Sequence, residues 1–262
     1  MQGSANLNLM IKAARKAARG LIKDFREVEN LQVSTKGPGD FVSKADREAE
    51  RVIKEELMGG RPTYGWLGEE TGEDAGQDPT RRWIVDPLDG TTNFLHGLPH
   101  WSISIALEHK GEIVSGVIYD PAKDEMFWAE KGAGAWLNDN RRLRVSGRRQ
   151  LAEAVVAGGV PQGTRPTFAA TLQDMARVMP SVAAFRAQGS AALDLAYVAA
   201  GRVEAFFERH INAWDMAAGL LLVREAGGMV SSLREGAAPF DARSVLAANE
   251  ALFEPLGKLL RG

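Results

Sequence analysis

One stretch concentrates the groups that could do chemistry: Trp83-Ile84-Val85-Asp86-Pro87-Leu88-Asp89-Gly90-Thr91-Thr92-Asn93. An apolar strand delivers Asp86 to its carboxyl end, Pro87 forbids continued ladder pairing, and Gly90 permits a tight turn into a short helix. Ligands of layered α/β folds gather at such strand ends. Two carboxylates three residues apart across a rigid turn can point into one small volume, where repulsion would leave one of them protonated. A hard divalent cation removes the conflict, and Mg²⁺ prefers oxygen ligands of this kind. Beside them, the amides of Gly90 and Thr91 at a helix start offer donors to a phosphate. An isolated Asp-Gly is ordinary turn chemistry; the whole string behind an apolar strand reads as a site.

Three further carboxylates are ambiguous on local chemistry. Glu69, in Gly68-Glu69-Glu70 after the strand-like Tyr64-Gly65-Trp66-Leu67, could be a third ligand and help activate water. With Glu73, Asp74 and Asp78 close behind, it reads equally as part of a solvated acidic loop. Asp215 falls in the first turn of a helix that Asn212 would cap. Asp46 follows Ser43 at capping-box spacing.

The elements that must position these groups follow from periodicity. Leu7, Ile11, Ala14, Ala18, Leu21, Ile22 and Phe25 predict a helix from Leu7 to Val28, ending near Asn30. Lys36-Gly37-Pro38-Gly39-Asp40 is a breaker. A second helix starts at Ser43, with Ala49, Val52, Ile53 and Leu57 inward, and stops at Gly59-Gly60. Arg82–Val85, Trp101–Glu108, Glu112–Tyr119 and Glu125–Ala129 read as strands, the last three as an antiparallel meander. Beyond Arg149, strands at Ala154–Ala157, Ala183–Ala187 and Val203–Phe207 alternate with helices at Thr167–Met179, Ala191–Ala200 and Ala213–Ala226, before a closing helix after Asn249. Such alternation points to α/β layering. We place an N-terminal α+β lobe with the metal site at 1–145 and a C-terminal α/β lobe completing the substrate site at 146–262.

The chain has 262 residues, 45% hydrophobic and 25% charged, with a formal net charge of −2, so no global attraction to nucleic acid or anionic membrane is expected. It has no cysteine, which excludes disulfides, thiolate metal sites and cysteine nucleophiles. No segment approaches the ~20 apolar residues of a membrane span, and Met216–Val223 reads as buried helix. The N-terminus lacks a signal-peptide apolar block, so a cytoplasmic protein is expected.

The chain as a whole resembles the inositol monophosphatase family. The resemblance is carried by Trp83 to Asn93, Gly68-Glu69-Glu70, Gly189-Ser190-Ala191-Ala192-Leu193-Asp194, Trp214-Asp215 and Glu225-Ala226-Gly227-Gly228. It implies a layered α/β/α/β/α sandwich of α/β (α+β) class. It also implies lithium-sensitive catalysis with two or three Mg²⁺ ions, and a homodimer. Glu69, Asp86 and the Leu88 carbonyl are then expected to hold one metal, and Asp86, Asp89 and Asp215 a second. Thr91 and Asp46, with Glu69, would orient the attacking water. Asp89, Gly90, Thr91 and Asp215 would also meet the substrate, whose alcohol part would lie against Gly189, Ser190, Ala191 and Glu208. Arg186 matches a position near the dimer contact. One departure, Arg209-His210-Ile211-Asn212-Ala213, is more polar and basic than the family pattern. It leaves the substrate open: inositol monophosphate leads, with fructose 1,6-bisphosphate, histidinol phosphate and nucleotide 3′-phosphates as alternatives.

Rival chemistries fit less well. An aspartyl-phosphate enzyme needs Asp-x-Asp-Gly-Thr, whereas two residues separate Asp86 from Asp89. Arg209-His210 is followed by Ile211 where a histidine phosphatase would carry glycine. His96, His100, His109 and His210 lack metal-ligand spacing and are expected at turns or the surface. Gly158-Gly159 is a strand end rather than a dinucleotide loop, and Trp101, Trp128 and Trp136 are expected in the core or an interface. Of another class is an accessory protein touching RNA or the transcription machinery through Arg141, Arg142, Arg144, Arg148 and Arg149. Without interleaved aromatics, that stretch reads rather as a solvated hairpin.

Overall fold

The structure is a computed structural model that describes residues 3–27, 33–37, 40–160 and 168–261. Helix α1 (Ala5–Phe25) is capped by Ser4, whose hydroxyl accepts from Leu7 N at 3.1 Å, and it buries Leu7, Met10, Ile11, Ala14, Ala18 and Leu21. It ends slightly earlier than its apolar period suggests. The breaker falls between the antiparallel strands β1 (Val33–Gly37) and β2 (Asp40–Ser43), with 38 and 39 outside the described residues. Helix α2 (Lys44–Gly60) lies where expected, and Asp46 and Glu50 are buried alongside Ala49, Ile53 and Leu57.

The large sheet contains β3 (Tyr64–Gly68), β4 (Gly72–Asp74), β5 (Asp78–Asp89), β6 (Ser102–His109), β7 (Glu112–Asp120), β8 (Glu125–Glu130), β9 (Gly134–Leu137) and β10 (Arg141–Arg142). Its order is β10-β9-β8-β7-β6-β5-β3-β4, an antiparallel meander from β5 to β10 with β3 parallel to β5. A short helix α3 (Thr91–Leu95) follows β5. The second sheet holds β11 (Val155–Gly158), β12 (Ala184–Arg186), β13 (Ala205–Arg209), β14 (Met229–Ser231) and β15 (Ser244–Ala248), in the order β12-β11-β13-β15-β14. Its helices are α4 (Phe168–Val178), α5 (Ala191–Ala199), α6 (Ala213–Glu225), α7 (Pro239–Ala242) and α8 (Glu250–Arg261).

Five layers result. Helices α1 and α2 pack on one face of the large sheet. Helices α5 and α6 fill the space between the sheets, in a core that takes residues from both. Helices α4 and α8 cover the outer face of the small sheet. The middle position explains α6, where every residue from Met216 to Val223 is buried, because a helix with sheet on both sides has no polar face to keep. Gly219 lets α5 come close: a Cβ there would stand 2.5 Å from Leu195 Cβ. This is the α/β/α/β/α sandwich expected from the resemblance. Among the described residues no helix is long and apolar enough to cross a membrane.

Candidate active site

The site forms where the end of β5 meets the starts of α5 and α6. In a regular strand, residues three apart face opposite sides of the sheet. Here Asp86 pairs with Ser104 and Asp89 with Ser102, so three steps on β5 match two on β6. This bulge at Pro87-Leu88 restores the parity and sends both carboxylates to the same side. Asp86 Oδ1 accepts from Leu88 N at 2.9 Å, which fixes the bulge from within.

Two helix starts complete the cup. Ser190, the N-cap of α5, accepts from Leu193 N and donates its hydroxyl to Asp89 Oδ2, which also takes Ala192 N at 2.8 Å. At the start of α6, Asp215 Oδ2 accepts from Asn212 N at 2.8 Å. Cap and site member are therefore one residue, as the ambiguity at Asp215 allowed. Ligand atoms of Asp86, Asp89 and Asp215 all lie within 4.8 Å of one another.

Glu69 sits in the turn after β3, its amide donating to Val85 O at 3.2 Å, beside the end of β5. Its charge acts on both Asp86 and Asp215. Thr91 Oγ1 donates to Leu88 O at 2.9 Å and stands 3.4 Å from Asp46 Oδ2. Asp46 is buried and turned toward Thr91, while the Ser43 side chain of the expected capping box lies outside the described residues.

Electrostatics set this cup apart. Burial pushes the Asp86 carboxyl well above the usual range, and Glu69, Asp89, Asp215 and Asp46 push the same way. Asp215 is raised by burial and then by Glu69 and Asp89, against the pull of the Asn212 amide. Asp89 is pushed up to about 6 by burial, held down in part by the Ser190 hydroxyl and the α5 amides. Crowded acids with raised pKa values are the signature of a functional site, and oxygen donors this close suit a hard divalent cation.

Around the cup lie Gly90, Asn93 and Glu208. Gly90 has φ of 93°, and a Cβ on it would lie 3.0 Å from His100 O and 3.2 Å from Gly189 O. Asn93 Nδ2 donates to His100 O and Gln188 O, each at 2.7 Å, tying α3 to the loops before β6 and α5. Glu208, at the end of β13, packs on Gly159, and its charge reaches Asp215.

Similarity to known proteins shows the family. The profile described as the inositol monophosphatase family matches residues 5–261. The chain belongs to the inositol monophosphatase family. It is similar to the protein named inositol-1-monophosphatase of Rhizobium meliloti (strain 1021), with 55% identity over 100% of this chain and 98% of that one. The Nus factor SuhB of Escherichia coli (strain K12) is 44% identical over 88% of this chain and 86% of its own. The crystal structure of the extragenic suppressor protein suhB from Bartonella henselae superposes with a TM-score of 0.95 at 52% identity, covering 98% and 99% of the two chains.

Several expectations are corrected within this family fold. Arg209, part of the departure, turns away from the cup: Glu208 and Arg209 alternate across β13, and Arg209 donates to Asp174 on α4 at 2.5 and 3.1 Å. His100, expected at a turn or the surface, is in a loop, but its ring is largely covered and lies edge-on to Tyr197. Burial, then Lys123, draws its pKa down to about 4. The arginine stretch does have an aromatic neighbour, because the β9–β10 hairpin lays Arg142 over Trp136, which stacks on Trp128. Trp101 and Trp128 are core residues, and Gly158 ends β11, as expected. Arg186 is exposed on the edge strand β12, where its Nη1 donates to Phe185 O.

Sequence reasoning missed Glu50 and gave Asn93 no role. Glu50 is fully buried and holds the turn that carries Glu69. The available signal was an acid four residues after Asp46, on the face of α2 that also presents Ala49 and Ile53.

Proposed function

We propose that this chain is a Mg²⁺-dependent phosphatase of small phosphate monoesters, with inositol monophosphate as its substrate. The observation that carries the reading is the convergence of Asp86, Asp89 and Asp215 within 4.8 Å, achieved by a bulge and two helix starts. The donor set fits Mg²⁺: all oxygen, anionic and preplaced. Glu69, Asp86 and the Leu88 carbonyl would hold one ion, and Asp86, Asp89 and Asp215 a second. When bound, Mg²⁺ supplies positive charge that offsets the phosphate dianion and lowers the pKa of water.

The chain's own residues do the rest. Thr91 and Asp46, already facing each other, hold the attacking water by donating and accepting hydrogen bonds. As its oxygen bonds to phosphorus its proton passes to Glu69, the ester P–O bond breaks, and the alcohol leaves with a proton from solvent. The Gly90 and Thr91 amides orient the phosphate oxygens. Helices α5 and α6 aim their positive ends at the cup, which favours the anion. Ser190, Ala191, Gly189 and Glu208 form the rim against the alcohol. Glu208 is an acceptor there and selects a hydroxylated leaving group. The relatives named inositol-1-monophosphatase support this choice. The RNA reading has less support, because Glu204 engages Arg148.

The test is phosphate release from inositol 1-phosphate, fructose 1,6-bisphosphate, histidinol phosphate and a 3′-phosphoadenosine nucleotide, with and without Mg²⁺ and Li⁺. Mg²⁺-dependent, Li⁺-inhibited turnover led by inositol 1-phosphate is expected. Preference for another ester would move the substrate, and no turnover of any ester by folded protein would remove the reading.

A further inference from the structure

Helix α2 reaches the site twice. Asp46, in its first turn, faces Thr91, and Glu50 lies one turn further along the same face, fully buried. Both Glu50 oxygens are engaged by backbone: Oε2 accepts from Glu70 N and Oε1 from Thr71 N, each at 2.8 Å. Those are the two amides that follow Glu69. The approach requires glycine at 68, since a Cβ there would stand 2.7 Å from Glu50 Oε1. Thr71 is held again through its hydroxyl, which accepts from Trp66 Nε1 at 3.0 Å. The turn from Gly68 to Thr71 is thus closed by α2 on one side and β3 on the other.

We propose that Glu50 is a positioning residue for Glu69: it fixes the Gly68–Thr71 turn so that the Glu69 carboxylate stays against Asp86 and Asp215, and thereby sets the affinity of the site for a divalent cation. The inference rests on the placement of Glu69 among the metal-holding residues argued above. A buried carboxylate with two amide donors is a strong, directional clamp. Glutamine has the same shape but brings an NH₂ group against one of the two N–H donors, so it cannot make both bonds.

The experiment titrates Mg²⁺ alone by calorimetry into the wild-type chain, Glu50→Gln, Glu69→Gln and the double variant. Glu48→Gln, on the exposed side of the same helix, is the control. Loss of a group that orients a ligand weakens metal affinity by about tenfold or more, and that loss is expected for Glu50→Gln. Its kcat should fall while KM for inositol 1-phosphate stays unchanged, and Glu48→Gln should match wild type. In the Glu69→Gln background the Glu50 change should add nothing, because it acts through Glu69. Unchanged Mg²⁺ affinity in folded Glu50→Gln, or an additive double variant, would overturn the proposal. Should that variant not fold, amide exchange in the unaltered chain decides: Mg²⁺ should slow exchange at Glu70 and Thr71, and no response overturns the coupling. Wild-type protein that binds Mg²⁺ yet turns over no ester would remove the phosphatase reading, leaving the coupling to be judged by the titration alone.

Discussion

Buried carboxylates in two regions of the described chain differ in what they meet. Around the small sheet, Asp174 and Glu204 each meet a cation of the chain's own. Asp174, 1% exposed, receives two bonds from Arg209, and Glu204, equally buried, receives Arg148 at 2.8 Å and the Val155 amide at 2.7 Å. At the end of β5, Asp86 is as deeply buried, yet the charges that act on it are Glu69, Asp89, Asp215 and Asp46. Removing a charge from water is costly unless it is paired. One region therefore completes its electrostatics within the chain, whereas the other, on the proposed function, does so by taking a cation from solution. Packing alone gives no reason to gather Glu69, Asp89, Asp215 and Asp46 around Asp86; a metal-dependent site does.

Exchanging one carboxylate for an amide in each region gives the largest contrast. Asp89→Asn should lower turnover on the order of a thousandfold, the equivalent of several kcal/mol of lost charge stabilisation. The fold should be kept, since an amide oxygen can still accept from Ser190 and Ala192, and urea unfolding without metal should show no loss of stability. Asp174→Asn should do the opposite. It leaves Arg209 without its partner in a covered place, costing about 3 kcal/mol in urea unfolding, with kcat unchanged in the folded fraction. Similar behaviour of the two variants in both assays would erase the distinction.

Proton and metal should compete in the cup and not around the small sheet. The folded pKa of Asp89 is raised to about 6 against an ordinary 3.8. Between those values the folded chain binds more protons than the unfolded one, so this group makes metal-free stability fall as pH rises through that window. Mg²⁺ displaces the proton, so its stabilising effect should grow from pH 5 to pH 7.5 and reach about 2.7 kcal/mol at a hundredfold excess over its Kd. His100 works in the other direction, since its lowered pKa costs stability as pH falls below about 6.5. Taking the difference in melting temperature with and without Mg²⁺ cancels the His100 effect. A difference that is flat from pH 5 to 7.5 would show that protons and metal do not share the carboxylates.

The same contrast explains what the sequence disclosed. The β5 string was legible because Pro87, Gly90 and two aspartates obey local rules, and α6 was legible because its apolar run exceeds what one packed face needs. The long register of β5 and strands β14 and β15 were not, because such strands are specified by partners distant in sequence. Asp46 and Asp215 looked like caps, and Asp215 is one; only the meeting of two helix starts with the end of β5 makes it more. Glu50 was passed over because its partners are backbone amides, which leave no mark in side-chain spacing, so its one signal was an acid on the inward face of α2. Arg209 misled for a related reason: in a strand, adjacent residues serve opposite faces, and the acid that Arg209 meets lies 35 positions away.

The smallest effect should come from the neutral tie between the two regions. Asn93 holds no charge, yet its amide joins His100 O and Gln188 O at the junction of α3 with the loops before β6 and α5. Asn93→Ala leaves two carbonyls short of a donor, which costs about 1–2 kcal/mol in urea unfolding. Because Gln188 precedes Gly189 and Ser190, the change also loosens the start of α5 and with it the hydroxyl that Asp89 receives. KM for the substrate should therefore rise severalfold, while calorimetric Mg²⁺ affinity changes little, since Asp86 and Asp215 are fixed by their own backbone contacts. A loss of Mg²⁺ affinity as large as that of Glu50→Gln would mean that the cup depends on the junction as a whole, and that its acids are less independently placed than the bulge and the helix caps imply.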